Sequence, residues 1–350
     1  MKLGKMLCLS LAVLFAVISF VTIFQAPMTA EAAEKFIWRL QTISPRGSVE
    51  TNSAEHFAEN VKNASGGRLE IKVYGADEIV PTFESFEAVS RGLLEMHYSD
   101  PSYWMGKTNQ CSGILAIPFL FRSALDARVF LEQKGAIDVL REVYAEHNIH
   151  LVNMFQGGSG SIWTKFPFSN LEDFKGKKIR AYGMWAEAFA AVGVSAVTMP
   201  SGEVYEAMER GVVDGLISAN VAWCYDYGFH EVSKYVWPTE AINICLLEYA
   251  VNMDAWESLP EDLQHILTVC AKEAELEILA QNHEWDAKKL AAAKNDWGIQ
   301  EQVLDEESIA KLSSAMLVKL EEFSRKDEDF AKLASILKDY MNEIGTMPSK

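Results

Sequence analysis

Cysteine is scarce in this sequence and is never found at the short spacings that metal or redox sites use. Five cysteines occur in 350 residues and none forms a C-x-x-C motif, which excludes zinc-ribbon and thioredoxin-like sites. The H-E-x-x-H and P-loop motifs are also missing, so neither a zinc protease nor a P-loop nucleotide site is predicted. In a domain of this size we expect the cysteines beyond the N-terminus to be buried free thiols: Cys111, Cys224, Cys245 and Cys270.

Basic residues are also few in comparison with acidic residues. The chain carries 32 Lys and Arg against 49 Asp and Glu, for a formal net charge of −17. Nucleic acid and anionic lipid both require a basic face, so we expect neither as a partner. With 49% hydrophobic residues, the chain has enough apolar material for two globular lobes. An anion could bind such an acidic protein only at a concentrated positive site.

No catalytic constellation is recognisable. The run G-G-S-G-S at 157–161 departs from the nucleophile elbow G-x-S-x-G at Ser161, so we interpret it as a flexible loop. The histidines are scattered and are expected to be surface or core residues. We therefore predict that the protein is not an enzyme and that it holds neither a cofactor nor a metal ion.

The N-terminus has the pattern of an export signal. Lys2 and Lys5 precede an apolar run over 6–24, and A-E-A at 30–32 offers small residues at the cleavage positions. This pattern predicts a signal peptide over 1–32 that is removed on secretion to the periplasm. The apolar run is also long enough to span a bilayer, so an uncleaved anchor stays open as the alternative.

After residue 33, segments in which apolar residues recur with the two-residue period of a strand are followed by segments with the 3.6-residue period of a helix. Strands are predicted at 36–43, 69–74, 94–99, 149–155, 178–181, 195–199 and 214–218, with helices at 48–64, 82–91, 185–192 and 202–210. Beyond Pro260 the pattern is helical, with helices at 263–293 and 306–344. Such alternation predicts α/β lobes with parallel sheets covered by helices. We expect one lobe over 33–155 plus about 242–290, and a second lobe with bracing helices over 156–241 plus about 291–350.

The best candidate for a positive site is Arg180. It ends the predicted strand 178–181, just before a helix that begins near Gly183. Ligands of open α/β sheets bind outside the carboxyl ends of the strands, and a guanidinium there presents a planar fork to a carboxylate or sulfonate. The following helix N-terminus would add free N–H groups. A surface arginine paired with a glutamate is the alternative.

Three motifs together resemble a known family. L-E-D-F-K-G-K-K-I-R at 171–180, V-T-M-P-S-G-E-V-Y-E-A-M at 197–208 and G-V-V-D-G at 211–215 are similar to solute-binding proteins of the tripartite ATP-independent periplasmic (TRAP) transporters, the DctP family. The resemblance covers about 36–345. It implies a two-lobed periplasmic binding protein fold with long bridging C-terminal helices. It also implies capture of a small organic anion, with Arg180 on its acid group, and delivery to small and large TRAP membrane subunits.

Within that family, the segments 78–84 and 101–107 resemble the branch that binds α-keto acids and other short organic acids. The branch carries Asp-x-x-Glu-Trp where this chain has Asp214, Ile217 and Ser218 at the matching positions. The missing carboxylate argues against a bound cation, and Ser218 offers a hydroxyl in place of an aromatic ring. The resemblance leaves the anion open among keto acids, hydroxy acids, dicarboxylates and sulfonates.

Further ligand-binding candidates lie near predicted strand ends or beside Arg180. They are Ser44, Glu78, Tyr103, Ser161, Trp163, Trp185, Ser218 and Asn220. Core packing is the alternative for both tryptophans. For the whole protein, a sensor that presents its ligand to a receptor kinase and an exported hydrolase remain the alternative functions. We expect a monomer, with a dimer as the alternative.

Overall fold

The described chain is organised by two β-sheets. The computed structural model describes residues 34–239, 242 and 245–347, so the predicted signal peptide lies outside the described residues. The strands are β1 Phe36–Thr42, β2 Leu69–Tyr74, β3 Met96–Ser99, β4 Ile149–Gln156, β5 Gly160–Thr164, β6 Lys178–Arg180, β7 Ser195–Val197, β8 Gly215–Ser218, β9 Tyr235–Thr239, β10 Leu246–Asn252 and β11 Gln300–Glu301.

The first sheet has the strand order β2-β1-β3-β10-β4. β1 pairs parallel with β2 and β3, as predicted, but β10 runs antiparallel to both β3 and β4. Strands β3, β4 and β10 are buried along almost their whole length, because helices cover both faces of the sheet. The prediction of a purely parallel sheet is therefore wrong for β10, because this strand, formed by a distant part of the chain, pairs antiparallel with its neighbours.

The second sheet has the order β11-β9-β5-β8-β6-β7. β6 lies parallel between β7 and β8, whereas β5 is antiparallel to β8 and β9. β5 begins at Gly160 and includes Ser161, so the flexible loop predicted over 157–161 is wrong at its C-terminal end. Every side chain of β5 is buried, and a strand covered on both faces lacks the alternation that would reveal it in the sequence.

Each predicted helix is present near its expected position, and five further helices of the described chain, between residues 124 and 258, were not predicted. The helices are α1 Val49–Ala64, α2 Ser85–Ser90, α3 Ala124–Arg128, α4 Ala136–Ala145, α5 Gly183–Ala191, α6 Val204–Glu209, α7 Val221–Asp226, α8 Phe229–Val232, α9 Met253–Ser258, α10 Glu261–Trp297, α11 Glu306–Ser324 and α12 Glu328–Ile344. Short 3-10 turns include Pro101–Trp104 and Ser201–Glu203. None of the described helices is both long and apolar enough to cross a membrane.

Helix α10 bridges the two sheets. It has 37 residues and contacts α1 and β4 on the side of the first sheet and α7 and α8 on the side of the second. The amide of Asn282 donates to the Gly157 carbonyl at 2.6 Å, and Asp286 accepts from Ser159 Oγ and from the Ala222 backbone N–H, both at 2.8 Å. The predicted α/β architecture with long bridging helices is confirmed, while the exact lobe boundaries stay a prediction.

The four cysteines of the described chain are free and buried, as predicted. Burial raises the pKa of the Cys224 thiol to about 12 and that of Cys245 well above its ordinary value. A thiol with such a raised pKa is a poor nucleophile at neutral pH. The cysteines therefore serve as small core residues.

Candidate functional site

The guanidinium of Arg180 is the centre of the candidate site. Its side chain is completely buried at the end of β6, two residues before Tyr182, the N-cap of α5. Nε and Nη2 donate to the Met199 carbonyl at 3.1 and 3.0 Å, Nη2 also donates to Ser201 Oγ at 3.1 Å, and Nη1 makes a long contact of 3.5 Å with the Ile217 carbonyl. The predicted position is therefore correct, and the surface alternative is wrong.

The hydrogen-bond partners of this cation are uncharged groups. The guanidinium carbon lies 4.3 Å from the centre of the Tyr182 ring, close enough for a cation–π contact. In the described part of the chain no carboxylate forms an ion pair with Arg180, which is bound by carbonyls, a hydroxyl and an aromatic face. Since a buried unpaired charge is costly, this arrangement is suited to an anionic partner.

Tyr103 joins the first sheet to the arginine site. It lies in the turn Pro101–Trp104 that follows β3, and its hydroxyl is 3.2 Å from Ser201 Oγ. Its ring is 5.3 Å from the Tyr182 ring in an edge contact. Burial raises the pKa of Tyr103, while the Arg180 charge lowers it. Tyr103, Ser201 and Arg180 are therefore brought together from opposite sides of a closed cleft.

Asp100 is a buried carboxyl group at the same place that the sequence analysis missed. One of its oxygens accepts from the Ser102 backbone N–H at 2.8 Å. Burial raises the pKa of Asp100 to about 7, and hydrogen bonds from Ser102 and from Tyr182, together with the Arg180 charge, act in the opposite direction. The only sequence signal was an aspartate before a proline at a strand end, which is equally typical of a turn cap.

Ser44 and a second carboxyl group, Glu50, lie on the first-sheet side. Both residues are buried, and Glu50 belongs to the first turn of α1. Burial raises the pKa of Glu50 to about 7, and hydrogen bonds from its own backbone N–H, from Ser44 and from Trp223 act in the opposite direction. Trp223 belongs to α7 beside the second sheet, so Glu50 of α1 lies close to an element on the second-sheet side.

Ser218 and Asn220 complete the second-sheet side. Asn220 Oδ1 caps α7 by accepting from the Trp223 backbone N–H at 2.8 Å. Asn220 Nδ2 and the Ser218 Oγ are buried and have no hydrogen-bond partner within the described residues. Ser218 follows Ile217, whose carbonyl contacts Arg180 Nη1, on the strand β8 that pairs with β6. Both residues therefore belong to the segment beside the arginine.

The other predicted residues lie behind the site or away from it. Trp163 is buried in the core beside α6 and α7, and its Nε1 donates at 2.9 Å to Ser161 Oγ, which in turn donates to the Ala219 carbonyl at 2.7 Å. Trp185 is buried against Phe119 and Phe189. Core packing, the alternative for both tryptophans, therefore describes their environment.

Glu78 lies apart from Arg180, in a surface ion pair. Both of its oxygens accept from Arg46, from Nε and Nη2, at 2.7 Å each. This pairing holds the pKa of Glu78 below its ordinary value. Since Arg46 already neutralises it, Glu78 does not join the buried groups around Arg180.

A cavity of about 490 Å³ lies elsewhere, under the long helix α10. Its polar lining includes Ser159, Asn282, His283 and Asp286. Arg180 does not line it. We place the site at the arginine because a buried guanidinium without a carboxylate hydrogen-bond partner among the described residues meets Ser201 and Tyr103 there.

No group of three or more His, Cys, Asp or Glu side chains is arranged to hold a metal ion in the part of the chain that the structure describes. Ile217, which replaces the acid of the keto-acid branch, is a buried strand residue whose carbonyl faces Arg180. The expectation that the site holds neither metal nor cofactor stays a prediction.

Comparison with protein families decides the class of protein. Residues 40–327 match the family described as "Bacterial extracellular solute-binding protein, family 7", or DctP. The chain belongs to this family. The resemblance drawn from the three motifs is thereby confirmed, and the protein binds a solute rather than catalysing a reaction, as predicted.

Similar proteins agree with this assignment. A monocarboxylate 2-oxoacid-binding periplasmic protein of Nostoc sp. is 29% identical over 251 residues, 70% of this chain and 67% of the relative. The ectoine-binding periplasmic protein TeaA of Halomonas elongata is 27% identical over 247 residues, 68% of this chain and 69% of the relative. A TRAP periplasmic solute-binding protein of Pseudoalteromonas atlantica, whose crystal structure contains sodium and pyruvate, is 27% identical with a TM-score of 0.81 and covers 89% of this chain and 95% of that one. The solute-binding protein is therefore periplasmic.

Proposed function

We propose that this solute-binding protein closes its two lobes on a small organic acid, pairs the acid group with Arg180, and delivers it to the membrane subunits of a TRAP transporter. The observation that carries this proposal is the buried guanidinium without a carboxylate partner among the described residues. A cation held this way gains most from an anionic ligand, because little water is present to screen the attraction.

The geometry also indicates where the acid group would bind. A guanidinium has five N–H donors, and the Nε side of Arg180 is already occupied by the Met199 carbonyl. The 3.5 Å contact of Nη1 with the Ile217 carbonyl is long. The acid would therefore meet the Nη1 end, with Ser218 and Asn220 as further hydrogen-bonding candidates.

Contacts across the cleft support capture by closure. The Tyr103 hydroxyl reaches Ser201 on the other side, and the Tyr103 and Tyr182 rings touch edge to face. Opening would separate Tyr103 from Ser201 and admit solute, and closing would exclude water around it. The named relatives bind 2-oxoacids in one case and ectoine in the other, which supports a small acid as the class of ligand. Neither the sensor nor the hydrolase alternative is favoured by any of these contacts.

Thermal unfolding of ligand-stripped protein tests this function. At a concentration 100 times its Kd, a specific acid should stabilise the protein by about 2.7 kcal/mol, raising the melting temperature by several degrees. Small carboxylates and sulfonates should include at least one such ligand, while the corresponding alcohols and amides, which lack the charge, should cause no shift. A shift of equal size with the uncharged analogues would contradict the role of an acid group.

Export should remove the N-terminal segment. We expect cleavage after Ala32, because the small residues at 30 and 32 follow the apolar run at the spacing that signal peptidase requires. Intact mass spectrometry of protein recovered from the periplasm of a bacterial host would give a mature chain that begins at residue 33. Recovery of the uncleaved mass in the membrane fraction would show an anchored protein instead.

A further inference from the structure

Gly183 lies where the two sides of the cleft approach each other most tightly. It begins α5 with a φ of +57°, a backbone conformation that residues with a Cβ rarely adopt. A methyl group at this position would lie 2.8 Å from Ser102 Cβ and 3.2 Å from Ser102 Oγ, well inside the ordinary separation of packed carbon atoms. Since Ser102 belongs to the turn Pro101–Trp104 after β3, this contact joins the first-sheet side to the second-sheet side.

The turn that carries Ser102 is fixed from several directions. The Asp100 carboxylate accepts from the Ser102 backbone N–H at 2.8 Å, and Ser112 Oγ donates to the Pro101 carbonyl at 2.7 Å. Trp104, at the end of the turn, is buried. An added methyl group at position 183 would therefore meet a Cβ that cannot move without the backbone of an anchored turn, and closely packed interiors relieve such overlaps only at a cost.

Helix α5 is anchored equally well on its own side. Met184 and Trp185, the residues that follow Gly183, are completely buried. In the structure α5 contacts both the turn Pro101–Trp104 and the next turn, Cys111–Ala116. The beginning of α5 therefore packs against two turns of the segment between β3 and β4, and Gly183 provides the space for this contact.

Building on the proposed function, we propose that Gly183 is a positioning residue for capture of the organic acid, because its missing side chain lets the turn around Ser102 pack against α5 when the cleft closes. Gly183 acts through closure and not through a contact with the acid. In the open form Gly183 and Ser102 separate, so a methyl group is tolerated there. The size of residue 183 therefore sets the affinity by changing the free energy of the closed form relative to the open form.

Gly183→Ala tests this inference by calorimetry with pyruvate, lactate, succinate and isethionate, which represent keto acids, hydroxy acids, dicarboxylates and sulfonates. For the acid that binds the wild-type protein most tightly, we expect the variant to bind about 5- to 150-fold more weakly, which corresponds to the cost of one extra methyl group in a packed contact. The loss should appear as affinity and not as a failure to fold, because the overlap arises only on closure.

Gly193→Ala is the matched control. Gly193 lies just beyond the C-terminus of α5 with a φ of +80°, and an added Cβ would find no packed neighbour within 4 Å in the described chain. This variant introduces the same kind of backbone strain without the overlap. Its affinity for the same acid should therefore stay within about threefold of the wild-type value.

Ser102→Gly provides a rescue that a merely structural role of Gly183 would not show. It removes the atoms that the added methyl group would strike and keeps the backbone N–H that donates to Asp100. Relative to Ser102→Gly alone, adding Gly183→Ala should weaken binding less than about threefold, so the two changes are strongly coupled. Small-angle X-ray scattering at saturating acid gives a second readout: the wild-type protein should contract, whereas Gly183→Ala should remain wider.

Unchanged affinity in Gly183→Ala, or the same loss with and without Ser102→Gly, would overturn the inference and leave the organic-acid function standing. Binding of none of the four acids by the wild-type protein would contradict the proposed function, and this inference would fall with it. Should Gly183→Ala not fold, Ser102→Leu adds bulk to the same contact from the opposite side, at a residue without positive φ. Native affinity in that variant would equally overturn the inference.

Discussion

Arg180→Ala should abolish measurable binding of the organic acid while the protein still folds. Truncating one member of a buried charged pair costs about 2–5 kcal/mol, or about 30- to several-thousand-fold in affinity. The unliganded protein should still fold, because no carboxylate of the described chain hydrogen-bonds to Arg180. The nearby Asp100, whose pKa burial raises to about 7, can take up a proton when the arginine charge is removed. Calorimetry for affinity, with thermal unfolding for integrity, gives both measurements.

Two further variants sharpen this prediction. Arg180→Lys should restore little, because an ammonium group cannot reproduce the planar fork that contacts Met199 and Ser201 together. Arg46→Ala removes an arginine from a surface pair with Glu78 and should leave ligand affinity unchanged. Near-native affinity in Arg180→Ala, with normal melting, would show that the acid group binds elsewhere.

Glu248→Ala should produce the largest loss of stability among single carboxylate truncations. His97 Nε2 lies 2.9 Å from one Glu248 oxygen, and the Tyr144 hydroxyl donates to the other at 2.5 Å. Trp104 Nε1 donates to the Tyr144 oxygen at 3.1 Å, and all four side chains are buried. Breaking a buried network of this kind typically costs about 3–5 kcal/mol, because the remaining polar groups are left without partners.

The surface offers a matched control for this prediction. His56 and Glu277 form the same pair type at 3.1 Å, but 57% of the His56 side chain and 33% of the Glu277 side chain are exposed to water. Glu277→Ala should therefore cost less than about 1 kcal/mol, and Glu248→Gln should lie between the two because an amide retains one acceptor. Urea unfolding at neutral pH gives the three free energies. Equal losses in Glu248→Ala and Glu277→Ala would show that the buried network contributes nothing beyond a surface pair.

The same network links stability to the binding site. Trp104 is the neighbour of Tyr103, and both belong to the turn Pro101–Trp104 that also begins with the Asp100 cap. Burial raises the pKa of Glu248, while His97 and Tyr144 oppose that rise. Fixing Trp104 through Tyr144 fixes the turn from which Tyr103 reaches across the cleft.

Local patterns were sufficient to predict most elements and the position of Arg180. Helix α1 and strands β1 and β2 follow from periodicity, which involves only neighbours along the chain. Arg180 was found because a strand end followed by a helix start is also a local signal. The cysteines were recognised as buried thiols from chain size and spacing alone.

The features that the sequence did not predict depend on contacts between residues far apart in sequence. The antiparallel pairing of β10 joins it to β3, about 150 residues earlier, and to β4, about 95 residues earlier, and no local period in the sequence indicates such pairing. Glu50 has the pattern of an ordinary first-turn acid of a helix, and its burial near Trp223 of α7 arises only in the folded chain. Trp163 and Trp185 could equally have lined the cleft or filled a core, and side-chain packing placed both in cores. Charge and periodicity are properties of a segment, whereas burial and the lack of a hydrogen-bond partner arise only when distant segments meet.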